Sequence, residues 1–199
     1  LIEFEKQDLL KLSKDKMRNI SGTKISIVFQ NPMSTLNPVI SIGRQMIDIQ
    51  YRDKISKKIK KQRSIDMLTK VGLPDPHIQF NQYPHELSGG MQQRVSIAMA
   101  LQAGPSLLIA DEPTTALDAT LEVQILKLLK ELQEAMGCSI LFVSHHLGVI
   151  AELCDHVVVM YAGQVVEQGS TYEIFNKPAH PYTIKLLECD PASISKKQR

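Results

Sequence analysis

Short apolar runs alternate along this chain with longer stretches in which apolar residues recur every three or four positions. The runs at 25–29, 107–110, 140–143 and 157–161 predict strands, and near-continuous hydrophobicity marks strands covered on both faces of a parallel sheet. After the second run, residues 120–136 carry Leu121, Ile125, Leu128, Leu129 and Leu132 at helical spacing, which predicts one long helix. Residues 32–103 read as a long, mainly helical insert between the first two strands. The fourth run continues through Ala162-Gly163 into Gln164-Val165-Val166-Glu167, predicting a hairpin that turns near Gly163 and adds antiparallel to one end of the sheet. Strands alternating with helices predict an α/β fold with a mainly parallel sheet.

Composition narrows the class without naming a function. A chain of 199 residues, 43% hydrophobic, can bury a substantial core. The net charge of +2 does not advertise nucleic-acid binding. Cys138, Cys154 and Cys189 are few, odd in number and far apart, which fits reduced thiols and no metal-ligand spacing. No apolar run approaches the ~20 residues of a membrane span. Residues 52–63 hold seven basic side chains against Asp53 alone. Without interleaved aromatics to stack on bases, that run reads as the solvated face of a helix anchored by Ile55, Ile59, Ile65 and Leu68.

Two motifs carry chemistry. Asp111 and Glu112 stand at the end of the second apolar run, followed by Pro113-Thr114-Thr115-Ala116. Two adjacent carboxylates are costly to bury together, so a strand end that presents both suits a metal ion and a water. Asp111 is expected to face Mg²⁺, largely through the ion's waters, and Glu112 to orient and deprotonate an attacking water. The second motif is Leu87-Ser88-Gly89-Gly90-Met91-Gln92-Gln93-Arg94. Ser88 is a good N-cap, and the diglycine bares the first-turn amides of a helix running through Val95, Ala98 and Met99. Bare amides at a positive helix end attract an anion. Taken singly, an acidic turn and a glycine-rich turn are each common. Their order is what tells.

Gln30 after the first strand, then L-S-G-G, then a strand ending in Asp111-Glu112, then Ala116-Leu117-Asp118, then a strand ending in Ser144-His145 resembles the ATP-binding-cassette (ABC) family, motif for motif. The resemblance implies a P-loop NTPase-like core with a helical subdomain insert. It divides the chain into 1–30 (partial ATPase core), 31–103 (helical subdomain with the Gln-loop and signature), 104–170 (core with Walker B, D-loop and switch histidine) and 171–199 (importer-type tail). By resemblance, Gln30 is the Gln-loop residue that contacts Mg²⁺ and the water region. Ser88, Gly89 and Gly90 are the signature, which binds nucleotide held by a partner subunit. Asp111 is the Walker B metal carboxylate, and Glu112 the catalytic glutamate. Asp118 communicates across the dimer, besides being a suitable cap for the helix after it. His145 is the switch histidine at the γ-phosphate. His146 departs from the family pattern, which has Asp there.

No G-x-x-x-x-G-K-[ST] loop occurs in the 199 residues. The resemblance therefore implies an N-terminally truncated piece that lacks the Walker A part of its domain and does not hydrolyse ATP alone. The implied cofactors are ATP and Mg²⁺. Implied partners are a second, related ATPase subunit, two transmembrane permease subunits and, indirectly, a substrate-binding protein, at the cytoplasmic face of a bacterial membrane. The Gln-loop segment Phe29-Gln30-Asn31-Pro32-Met33-Ser34-Thr35-Leu36-Asn37-Pro38, the run Tyr83-Pro84-His85-Glu86 and the tail His180-Pro181-Tyr182-Thr183 resemble oligopeptide/dipeptide importers, and by the same resemblance Met33, Met91 and Tyr161-Ala162-Gly163 favour the D-type subunit. Nickel importers share this vocabulary and stay open as an alternative. So do a non-transport ABC ATPase and an inactive relic. Cys189 alone argues for no iron–sulfur site.

Overall fold

The computed structural model describes residues 1–31, 35–115 and 117–189. Met33 and Ala116, both within the motifs quoted above, lie outside the described residues. The chain divides into two compact units, Leu1–Val143 and Ser144–Arg199.

The first unit opens with a small hairpin, β1 (Glu3–Phe4) and β2 (Gln7–Asp8). Its turn residues Glu5 and Lys6 both adopt positive φ, 48° and 62°, without a glycine to ease it. A helix, α1 (Lys14–Ile20), follows, capped by the Ser13 hydroxyl. Then come β3 (Ile25–Val28), α2 (Ile42–Asp48), α3 (Lys57–Lys70), α4 (Pro76–Gln79), α5 (Gly89–Leu101), β4 (Leu107–Asp111), α6 (Ala119–Met136) and β5 (Ser139–Val143). The expected alternation of strand and helix is present. β3, β4 and β5 form a parallel sheet in that order, with Ile27 beside Ile109 and Ile109 beside Leu141.

The period of two along these strands sorts their side chains onto two faces. Val28, Leu108 and Ala110 are fully buried on one face. There Val28 and Leu108 join a core that takes in Val95, Ile97 and Leu101 of α5 and Ile125, Leu129 and Leu132 of α6. On the other face Ile27, Phe29, Leu141 and Val143 are 43%, 49%, 53% and 45% exposed. The sheet thus has one packed face and one apolar face open to water.

The helical insert is held from inside by glutamines. Gln45, buried, accepts from the Asn37 amide and donates to the Asn37 and Ile40 carbonyls at 2.7–2.9 Å, which fixes the loop leading into α2. Gln50, also buried, donates to the Met46 and Lys60 carbonyls and the Ser64 hydroxyl. This corrects one detail of the basic helix. Ile65 and Leu68 are buried as expected, but Ile59 is 47% exposed. The inward side near Ile59 is taken instead by Ser64 and by Lys60, whose ammonium donates to the Gln50 carbonyl.

In the second unit, α7 (Leu147–Leu153) precedes the hairpin of β6 (His156–Tyr161) and β7 (Gln164–Ser170), followed by α8 (Thr171–Asn176) and α9 (Pro181–Glu188). The hairpin was expected to extend the parallel sheet. Among the described residues its strands pair only with each other, as a separate two-stranded sheet. Its inward side chains find cover in α8 and α9: Val157, Val159 and Ile174 form a small core with Ile150, Val166, Phe175 and Tyr182. The Glu167 carboxylate accepts from the Ala179 and His180 amides at 2.7 and 3.1 Å and so ties the tail to β7.

Candidate active site

Parallel strands end side by side, so residues just past β3 and β4 meet at one edge of the sheet. Asp111 closes β4, exposed, in register with Val143. The next amide, that of Glu112, leaves the strand and donates to the Val143 carbonyl at 2.9 Å. Glu112 then takes φ of 44°, in the left-handed region a non-glycine residue adopts at a cost. This reversal turns its carboxylate toward the end of β3. There the Gln30 side-chain amide donates to Glu112 Oε2 at 2.8 Å, and the Thr115 hydroxyl donates to the same oxygen at 2.8 Å. Gln30 and Glu112, 82 positions apart, are therefore brought together next to Asp111.

The turn after Glu112 is secured from three sides. Val143 of β5 holds its first amide. The Thr114 hydroxyl donates to Glu122 Oε1 of α6 at 2.8 Å. Gln93 of α5, 1% exposed, donates its side-chain amide to the Pro113 carbonyl at 2.6 Å. Thr114, Thr115, Glu122 and Gln93 were not singled out from sequence. The Thr-Thr pair directly after the carboxylates is the one local signal that could have drawn attention to them.

Asp118 caps α6 as expected, its Oδ1 accepting from the Thr120 and Leu121 amides at 3.0 and 2.9 Å. Two amides otherwise left without a partner at a helix start are thereby satisfied. Ser88 caps α5 through the Met91 amide at 3.4 Å. The two glycines after it differ. Gly89 is exposed, and a Cβ there would meet nothing within 4 Å. Gly90 is buried, and a Cβ there would lie 3.1 Å from Leu121 in the first turn of α6. The turn at Ser88 is also stitched to the loop before it: buried Gln92 donates to the Pro84 and Leu87 carbonyls at 2.8 and 3.1 Å.

His145 and His146 belong to the second unit, where both are exposed and their rings meet edge to face at 5.2 Å. His146 occupies the N-cap of α7 without a side-chain cap bond, and its amide donates to the Ser144 hydroxyl at 3.0 Å. Among the described residues no group of three or more His, Cys, Asp or Glu could hold a metal ion, and no helix is long and apolar enough to cross a membrane.

The family model described as ABC transporter matches residues 1–115. The chain belongs to the ABC transporter family. A second model, for the C-terminal region of oligopeptide/dipeptide transporters, matches residues 166–199. This ABC-family chain is 52% identical over 191 residues to the oligopeptide transport ATP-binding protein OppD of Bacillus subtilis, covering 96% of itself and 53% of that relative. It is 46% identical over 199 residues to the dipeptide transport ATP-binding protein DppD of Escherichia coli, covering all of itself and 61% of that protein. The chain thus spans little more than half the length of these curated relatives. Among solved structures it resembles the ABC cassette MJ0796 bound to ADP and Pi, with a TM-score of 0.73 and 29% identity over 84% of this chain and 72% of that one. It also resembles CbiO1 of Clostridium perfringens, with a TM-score of 0.76 and 28% identity over 98% of this chain and 74% of that one. These cassettes are of the P-loop NTPase type, in keeping with the parallel sheet and its helices.

Proposed function

We propose that this chain is part of the ATP-hydrolysing subunit of a peptide importer, of the D type. The observation that carries the reading is the Gln30–Glu112 hydrogen bond beside Asp111, at the ends of adjacent parallel strands. Its relatives' names, oligopeptide and dipeptide transport ATP-binding proteins, favour peptides over nickel, as does the match of the tail to the oligopeptide/dipeptide model.

In this reading Glu112 orients the attacking water and takes its proton, while Gln30 and Thr115 fix the carboxylate's rotamer for that task. A carboxylate, a neighbouring glutamine and no denser cluster of ligands form a sparse, hard-oxygen donor set. Such a set fits Mg²⁺, which keeps several waters and leans on phosphate oxygens. Asp111 is the residue that would hold it, with Gln30 alongside. When bound, the ion offsets charge on the phosphate oxygens. Ser88, Gly89 and Gly90 present bare amides and a hydroxyl at the start of a 13-residue helix, suited to the γ-phosphate of ATP held by a partner subunit. His145 is assigned to the same phosphate from the other side, and Asp118 to contact between subunits. The functional division at 30, 103 and 170 belongs to this reading.

The 199 residues hold no G-x-x-x-x-G-K-[ST] loop, so in the proposed assembly that contribution comes from outside them. A related ATPase subunit, two permease subunits at the cytoplasmic face of the membrane and, indirectly, a peptide-binding protein complete the assembly, with no nucleic acid. The test is purification of the complete gene product with whatever it holds in the membrane, followed by ATPase assay. Hydrolysis stimulated by a peptide-loaded binding protein and abolished by Glu112→Gln is the expected result. A product that associates with no permease, or whose hydrolysis survives Glu112→Gln, overturns the reading.

A further inference from the structure

Gln93 is a long polar side chain in the middle of the packed core. Its Nε2 donates to the Pro113 carbonyl at 2.6 Å, while its Oε1 is buried without a hydrogen-bond partner. Leaving a buried acceptor unsatisfied costs about 1–3 kcal/mol. A methionine or leucine would fill the same volume without that cost. Gln50, Gln79, Gln92 and Gln102 share a buried Oε1 of this kind; what sets Gln93 apart is its partner, the carbonyl directly after Glu112.

The location of that bond gives it a mechanical meaning. α5 begins at Gly89, so its first turn is the signature, and Gln93 lies one turn further in. The same helix end bears on α6 through Gly90, against Leu121, three residues past the Asp118 cap. At the other end of the Gln93 bond stands the Glu112–Thr115 turn, held in a left-handed conformation by a few named contacts. A carboxylate on such a turn follows its backbone anchors.

We propose that Gln93 is a positioning residue that links the signature helix to the Glu112 turn. It makes the seating of Ser88-Gly89-Gly90 on one nucleotide felt at the carboxylate serving the other. This rests on the reading that the signature acts on a partner's ATP while Glu112 acts on the subunit's own. Gln93 acts through the Pro113 carbonyl that its side-chain amide holds.

The test has two arms. In the complete gene product, Gln93→Met, and Gln93→Leu as a second form, remove the donor at similar volume. The Glu112, Thr115 and Leu117 amides are then expected to exchange with deuterium about tenfold faster, with the Val95–Leu101 segment of α5 unchanged. Unchanged exchange in the turn overturns the proposal. Should neither variant fold, the unaltered chain answers: the Gln93 side-chain amide protons are expected to exchange far more slowly than those of exposed Gln164, and equal rates overturn the link. In the complete gene product with its partners, Gln93→Met is expected to lower kcat about tenfold at unchanged KM for ATP, and to weaken cooperativity in ATP. Glu112→Gln separates the two levels. If it abolishes hydrolysis while Gln93→Met matches the parent, the link alone fails. If hydrolysis survives Glu112→Gln, the functional reading fails and the link with it.

Discussion

The Gln30 amide and the Glu112 carboxylate meet at 2.8 Å from the ends of two neighbouring parallel strands. Neither residue is near the other in sequence. The parallel register of β3 and β4, Val28 beside Ala110, is what delivers both to one edge. Gln30→Ala removes one donor to Glu112 Oε2 and leaves that of Thr115. In the complete gene product it is expected to cut kcat by about tenfold, against about 10²–10⁴-fold for Glu112→Gln, which on the proposed reading removes the base itself. Steady-state ATPase kinetics check both. A Gln30→Ala loss as large as that of Glu112→Gln would mean that Gln30 does more than orient.

Gly90 and Gly89 are adjacent and should respond differently to alanine. At Gly90 the new methyl would lie 3.1 Å from the Leu121 side chain, which must give by a few tenths of an ångström, so the gain in helix propensity is offset there. At Gly89 the methyl meets open space, and the helix gains up to about 1 kcal/mol. Urea denaturation of the 199-residue chain reads both.

Asp118→Ala unmakes the cap of α6 and is expected to cost about 1 kcal/mol, while Asp118→Asn keeps an acceptor and most of the stability. If Asp118→Asn nonetheless depresses the ATPase of the complete gene product, the residue has a role at the subunit contact beyond its cap.

How much of this was legible in the sequence depends on the range of the forces involved. The strands of the parallel sheet announce themselves because Leu107-Leu108-Ile109-Ala110 and its neighbours are apolar in unbroken runs, a local property. The Asp118 cap is equally local. The β1–β2 hairpin went unseen because Glu5-Lys6 carries none of the glycine or asparagine that marks a left-handed turn. Apolar periodicity assigned Ile59 to the interior, yet Gln50 and Ser64 lie buried there, joined by a hydrogen bond the pattern does not encode. Gln93 is the same case within the site. Its partner is a backbone carbonyl 20 residues on, and no property of a lone glutamine predicts that. The Gly90–Leu121 contact likewise needs two helices already packed.

Acid should loosen the tail of the second unit before it unfolds. The Thr183 hydroxyl beside it, then the Ala179 and His180 amides, hold the Glu167 carboxyl below its ordinary value of 4.5. The Ser170 hydroxyl and amide lower Glu173 in the same way within the capping box at the start of α8. A depressed carboxyl stabilises the folded state fully above the unfolded value, and that contribution is lost as pH falls through the lower folded value. The window is therefore below pH 4.5. Amide chemical shifts of Ala179 and His180 followed downward from pH 6 should report the step, and Glu167→Gln should remove it.

The open sheet face should bind hydrophobic dyes. Ile27, Phe29, Leu141 and Val143 form an apolar surface of the kind that marks an interaction site or a tendency to aggregate. Leu141→Thr with Val143→Thr is expected to lower dye fluorescence and raise soluble yield, with little change in Tm because neither side chain is in the packed core. A fall of many degrees in Tm would mean that this face is not open.

The left-handed backbone at Glu112 sets fold and chemistry against each other at a single position. Glycine is the residue such a φ prefers, and any side chain held there carries a cost of about 1 kcal/mol. Random mutation screened for thermal resistance alone would drift toward glycine at 112, and toward apolar residues at 93. On the proposed reading it would yield a hardier cassette that had lost its base and slackened the turn that held it. Positions 112 and 93 are thus where selection for work, as distinct from selection for endurance, can be read.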